Sequence, residues 1–356
     1  ASVAVVAVLL AYGASQIVRP TKLRKKAATP EEIEKALTIA NASGESQARL
    51  VAMGDKQVLF DDKSSAFLMY GVEGSSFIAL GDPIGTVSAR PELIKKFRQL
   101  ADTHDAACAF YQVTPENITD YVDRGFALVK LGEEARVSLS EFGLEGRAMK
   151  SLRASHKKAG KDLVFSVMET ADVPAILPAL KRVSDAWLLD KNTREKGFSL
   201  GAFDEDYLRT GPVAVAKKGD DIVAFANLWT TATKEELSID LMRFDDRAPN
   251  GTMDFLFAEL MLWGKAQGFR WFTLGMAPMS GLEDGPLSPL WSRAFALIFR
   301  HGEALYNFKG LRAYKEKFDP VWRGRYLATA KVTDVPRVLA SVATLTSRGL
   351  SGVFAR

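Results

Sequence analysis

Cysteine is almost absent from this chain of 356 residues, with Cys108 alone, so no internal disulfide and no thiolate-based zinc or iron–sulfur site can form within it. Histidine is nearly as scarce. His104, His156 and His301 lie far apart, which argues against a histidine-rich metal site. No G-x-x-x-x-G-K-S/T loop is present to cradle nucleotide phosphates, and no H-E-x-x-H pair to hold a catalytic zinc. Neither a metal nor a cofactor is therefore expected. Glycine and proline, 27 and 14 residues, follow no period, and with 47% hydrophobic and 25% charged residues the chain is neither disordered nor collagen-like. Its length allows about two globular domains.

The net charge of +4 is small, so its distribution matters more than its total. Residues 1–18 carry no charge, and 19–26 (RPTKLRKK) hold five basic residues and no acid. An apolar run followed by cations is the reverse of a signal peptide and suits the cytoplasmic exit of a transmembrane helix. Residues 1–20 are accordingly expected to be the remnant of such a helix, which places the rest at the cytoplasmic membrane on its cytosolic side. At the other end, 334–356 has a Val/Leu stripe behind Asp334 and reads as an amphipathic helix.

Between these ends, strand and helix patterns alternate. Residues 29–140 read as a capped helix, three strands (QVLF, AFLMYGV, SFIALGD), a helix over 91–104, the strand ACAFYQV, a short helix, and the strands FALVKL and ARVSL. Residues 162–333 repeat the order with VFSVM, a helix over 171–189, VAVAKK, DIVAFANLWTT, EELSIDLMRF, a helix over 251–267, WFTLG, helices near 290–300 and 308–317, and RYLATAKV. The expected fold is α/β, resembling tandem GCN5-related N-acetyltransferase-like domains, 29–140 and 162–333, joined by a basic helix over 141–161. On that helix Arg147, Lys150, Arg153, Lys157, Lys158 and Lys161 fall within roughly a 140° arc. Such a stripe fits a polyphosphate backbone or an anionic membrane.

Three stretches carry candidate chemistry. In EELSIDLMRF, strict alternation sets Leu237, Ile239 and Leu241 on one face and Ser238, Asp240 and Met242 on the other. Asp240 and Arg243 are then either a structural ion pair or a carboxylate that holds a substrate ammonium beside an arginine that orients it. Asn250 and Gly251 open the following helix, where free N–H groups can bind an anion or a carbonyl oxygen. Acetyltransferases carry a glycine-rich pyrophosphate loop for coenzyme A here. Asn250 stands where its first glycine belongs, which disfavours coenzyme A. Finally, 306–326 interleaves Lys309, Arg312, Lys315 and Arg323 with Phe308, Tyr314 and Trp322, a combination that suits an unpaired nucleic acid end.

With SIDLMRFDDRAPNGTMDFLF, FTLGMAPMSGL and NFKGLRAYKEKFDPVWRGRYL in view, the chain resembles the cytosolic C-terminal domain of the MprF-type phosphatidylglycerol aminoacyltransferases, which make lysyl- or alanyl-phosphatidylglycerol. LGDP at 80–83 is a weaker marker. The resemblance implies aminoacyl-tRNA as donor, a phosphatidylglycerol membrane surface as acceptor, and an N-terminal transmembrane flippase domain as a neighbour. It implies Asp240 and Arg243 as catalytic residues, with Lys309 beside the tRNA end; Phe308 and Lys309 also resemble the Phe-Lys pair of Fem-type peptidoglycan aminoacyltransferases. Asn250, Gly251, Phe308, Arg312 and Glu283 are then expected around the aminoacyl end, and a carboxylate such as Glu283 would favour lysine over alanine. A Fem-like transferase and a non-catalytic membrane-tethered tRNA-binding module are the alternatives.

Overall fold

A computed structural model describes residues 27–282 and 308–349. The helix expected near 290–300, Glu283 and the apolar residues 1–20 lie outside them. The first helix, α1 (Pro30–Ala42), starts where local chemistry dictates. Pro30 occupies the first turn, the Thr29 hydroxyl accepts from Glu32 N–H at 3.2 Å, and the Glu32 carboxylate accepts from Thr29 N–H at 2.8 Å, a reciprocal capping box. A 3₁₀ stretch (Ser46–Met53) follows. Then come β1 (Gln57–Phe60), β2 (Ala66–Glu73), β3 (Ser76–Leu80), β4 (Ile84–Gly85), α2 (Arg90–Asp102), β5 (Ala107–Val113), α3 (Ile118–Val122) and β6 (Ala127–Ser138). FALVKL and ARVSL, expected as two strands, run together in β6.

The second half comprises α4 (Lys150–Ala159), β7 (Val164–Met168), α5 (Val173–Asp190), α6 (Glu205–Leu208), β8 (Val213–Lys218), β9 (Asp221–Thr230), β10 (Glu236–Phe244), α7 (Thr252–Ala266), β11 (Trp271–Pro278), α8 (Phe308–Glu316), β12 (Val321–Thr329) and α9 (Val335–Thr346). One motif occurs twice. β2 runs antiparallel to β3, and β3 is joined through α2 to the parallel β5; β9, β10, α7 and β11 repeat this arrangement. Among the described residues all strands belong to one sheet, ordered β1-β2-β3-β5-β12-β6-β11-β10-β9-β8-β7, with β4 beside β2. The halves interlock. β12, from the end of the chain, lies between β5 and β6, while β6 pairs on its other edge with β11.

Both sheet faces are covered, so the strands read as nearly continuous apolar runs. On β2 the period of two sends Phe67 and Met69 into a core under α1 and α9, and Leu68, Tyr70 and Val72 into one under α2. α9 packs on the body through Val335, Val338, Leu339 and Val342, all at most 2% exposed. The segment 141–161 is helical only from Lys150 to Ala159; the residues before it form turns, with Gly146 at φ +84° among them. Among the described residues no helix is long and apolar enough to cross a membrane, and no group of three His, Cys, Asp or Glu side chains is placed to hold a metal.

Candidate active site

The site is built on an irregularity in β10. Ile239 pairs with Leu228 of β9 and Met242 with Ala226, so Asp240 and Leu241 together oppose Asn227, a β-bulge. The Leu241 N–H loses its ladder partner there and donates instead to Asn227 Oδ1 at 2.8 Å. The bulge corrects the expected alternation. Ile239, Met242 and Phe244 pack into one core and Leu241 into another, which turns Leu241 and Arg243 toward α5. Asp240 and Arg243, three apart, thereby come to the same side of the sheet, where an unbroken strand would separate them.

Asp240 is partly buried and bonded through both oxygens. Gly201 N–H donates to Oδ1 at 2.9 Å and the Tyr207 hydroxyl to Oδ2 at 2.7 Å. Tyr207 in turn accepts from Trp229 Nε1 at 2.7 Å. Burial raises the Asp240 pKa; the Gly201 and Tyr207 bonds and the positive charges of Lys56 and Arg243 oppose that shift. Burial and the adjacent Asp240 together push the Tyr207 phenol well above its ordinary range. Tyr207 therefore stays protonated and serves as a donor.

Asp240 and Arg243 do not pair with each other. Arg243, 4% exposed, makes a bidentate bridge to Glu195 with both bonds at 2.7 Å, donates to Ser184 Oγ, and lies 5.3 Å from the Trp187 ring centroid. Those contacts occupy its terminal nitrogens and fix its charge beside Asp240.

The sheet opens next to this constellation. β10 and β11 pair only over Glu236↔Trp271, Leu237↔Phe272 and Ser238↔Thr273. The corresponding strands of the first half pair over five residues, from Ser76↔Ala107 to Leu80↔Tyr111, and Gly81 N–H continues the ladder to Tyr111 O at 2.7 Å. Asp82 of the LGDP stretch secures that closed end by accepting from Thr114 and Tyr121. On β11 a second register shift lies between Thr273 and Met276, and the buried Lys315 of α8 holds it by donating to Gly275 O at 2.8 Å and Met276 O at 3.0 Å. Burial lowers the Lys315 pKa to about 8.

Other expected residues are distributed as follows. Phe308 and Lys309 begin α8, and their side chains lie outside the described residues. Arg312 is held inward, donating to Glu133 at 2.6 Å and to Ser280 Oγ over the Trp322 ring. Asn250 is exposed, and Gly251 packs on α4, where an added Cβ would meet Ser155 O at 3.4 Å. The start of α7 thus lies against α4. On the basic segment Arg147, Lys150, Lys157, Lys158 and Lys161 are exposed. Arg153 departs from that stripe and donates to Leu144 O and Gly146 O, tying down the loop before α4.

The sequence profile described as "Phosphatidylglycerol lysyltransferase, C-terminal" matches residues 36–329. The chain belongs to this family. It is 38% identical over 314 residues to a phosphatidylglycerol lysyltransferase of Bacillus subtilis, an alignment covering 87% of this chain and 36% of that protein; the chain thus spans about a third of that curated relative. A crystal structure of a C-terminal domain (DUF2156) from Agrobacterium fabrum is similar at TM-score 0.82 and 44% identity, over 90% of this chain and 98% of that one. L-PGS from Bacillus licheniformis is similar at TM-score 0.78 and 36% identity, over 91% and 99% respectively.

Within this lysyltransferase-family domain, the partners of Asp240 and Arg243 were not found by sequence reasoning. Glu195 and Gly201 come from the loop between α5 and α6, Tyr207 from α6, and Lys56 from the first half of the chain. One local signal existed: GFSLG at 197–201 spells G-x-S-x-G. Its setting is a loop between α5 and α6 rather than a strand-to-helix elbow. Its Ser199 hydroxyl lies 3.4 Å from Thr346 Oγ1, and it is Gly201 that reaches the site.

Proposed function

We propose that this domain transfers an aminoacyl group, lysyl in preference to alanyl, from aminoacyl-tRNA to a glycerol hydroxyl of phosphatidylglycerol, at the cytosolic face of a membrane in which an N-terminal transmembrane flippase domain sits. The product lowers the membrane's negative charge and so confers resistance to cationic antimicrobial peptides. The halves act as tandem acetyltransferase-like units, the second catalytic. The observation that carries the reading is Asp240, a carboxylate held by two donors beside the opening between β10 and β11, in a chain of this family. The lipid hydroxyl oxygen attacks the ester carbonyl carbon and gives up its proton, the bond to the tRNA ribose oxygen breaks, and that oxygen takes up a proton, so the step releases none overall. One ester replaces another, so no ATP is consumed. Asp240 holds the α-ammonium, Arg243 favours its ionised form against the opposing effect of burial, and Lys309, by resemblance, stabilises the oxyanion or the terminal phosphate. Purified protein given lysyl-tRNA and alanyl-tRNA in parallel with phosphatidylglycerol vesicles is expected to form lysyl lipid faster. Labelled product that stays out of the lipid extract sinks the assignment.

The exposed cations of α4 and its flanks are assigned to docking of tRNA. Neutralising Lys150, Lys157 and Lys158 together is expected to weaken tRNA association and to flatten its salt dependence by about 0.7 to 0.9 in log–log slope for each phosphate no longer neutralised. Turnover at saturating tRNA should stay near the starting value. Filter binding over a salt series checks the slope; an unchanged slope with lost vesicle binding would assign the stripe to the membrane instead.

A further inference from the structure

Segment 191–204 links α5 to α6 without regular structure, yet it carries both Glu195, which grips Arg243, and Gly201, which donates to Asp240. A backbone with no ladder or helix of its own has to be fixed from outside. Its fixings come from distant parts of the chain. Asp55 Oδ2, in the first half, accepts from Phe198 N–H at 2.9 Å, and Thr346 O at the end of α9 accepts from Gly197 N–H at 2.9 Å. Leu200 N–H closes a turn onto Gly197 O at 3.2 Å. Phe198 adopts φ +56°, a conformation disfavoured for a bulky side chain, while its ring is buried at 3% exposure beside Tyr111.

Asp55 is itself immobilised. The buried Lys56 donates to its Oδ1 at 2.5 Å and to Leu50 O at 3.2 Å. A continuous series of contacts thus runs from the 3₁₀ stretch through Lys56, Asp55, Phe198 and the turn to Gly201 and Asp240. We propose that Asp55 is a positioning residue for Asp240, acting through the 197–201 turn. This rests on the reading of Asp240 as the carboxylate that meets the aminoacyl end. The first half of the chain, whose own parallel strands are zipped shut, then serves the reaction by seating the loop that aims the second half's carboxylate.

The full chain tests this by hydrogen exchange and steady-state kinetics side by side. In Asp55→Ala, exchange across 197–201 should rise about tenfold or more, and kcat should fall about 10- to 100-fold with KM for lysyl-tRNA within about twofold. Asp55→Asn keeps an acceptor oxygen for Phe198 N–H and should restore kcat to within about fivefold of the starting protein. Because Asp55→Ala leaves Lys56 buried without its counterion, the double variant Asp55→Ala/Lys56→Met keeps the exchange measurement readable where the single variant fails to fold; the test then rests on exchange and not on kcat, since the Lys56 charge acts on Asp240. Unchanged exchange at 197–201 in a folded alanine variant, or equal losses in the alanine and asparagine variants, overturns the proposal. The exchange measurement needs no substrate. If it rises as expected while the unaltered chain makes no lysyl lipid, the positioning role stands and the transferase reading falls.

Discussion

Gly201→Ala is expected to reduce aminoacyl transfer by about 10²-fold or more, through geometry alone. A Cβ built on Gly201 would lie 1.7 Å from Asp240 Oδ2, 2.8 Å from its Cγ and 3.0 Å from Tyr207 Cε1. No rotamer choice relieves that overlap, since a methyl group has none, so either the carboxylate leaves its two donors or the loop leaves the sheet. Both outcomes misplace Asp240, and overpacking of this kind costs about 1–3 kcal/mol of stability as well. Gly143→Ala, where an added Cβ meets nothing within 4 Å, is the matched control. Initial rates of lysyl-lipid formation and melting temperatures separate the two effects. Retention of half the activity by a folded Gly201→Ala chain would show that Asp240 does not need its present position.

The same glycine marks where sequence reasoning reaches its limit. Features set by neighbours in sequence were legible: the capped start of α1, the apolar strands such as β2 and β5, and the exposed cations of α4. Arg153 broke that last pattern because it bonds back to Leu144 and Gly146, and burial decides such a choice where periodicity cannot. The site itself depends on register and on long-range partners. Alternation assumes an unbroken ladder, so it placed Leu241 with Ile239; the bulge opposite Asn227 reverses this and brings Arg243 round to Asp240. Glu195 lies 48 residues from Arg243, and Asp55 143 residues from Phe198. No local pattern joins them. The insertion of β12 between β5 and β6 is equally invisible to a reading that takes each half in turn, because both halves contain enough strands to look complete.

Asp240→Asn is expected to cut transfer by about 10³-fold, yet to leave the protein at least as stable as before at neutral pH. The asparagine oxygen can still accept from Gly201 N–H, and the Tyr207 oxygen can accept from the new amide N–H where the hydroxyl now donates to the carboxylate, so the side chain keeps a partner on each side. The negative charge does not, and with it goes the grip on the α-ammonium. The stability side follows from linkage. Burial makes the Asp240 carboxyl a weaker acid in the folded chain than in the unfolded one, so as pH rises the unfolded chain releases this proton first. Ionised Asp240 therefore costs folding free energy, beginning near the ordinary carboxylate pKa of about 4 and reaching its full value above the folded-state pKa. Below that ordinary value the cost vanishes. The asparagine variant should gain in melting temperature over the unaltered chain as pH rises through this window, and the gain should then level off. A stability loss that grows with pH would mean that the charge strengthens the fold. Asp240 would then be a structural carboxylate, and residual transfer above about a tenth would point the same way.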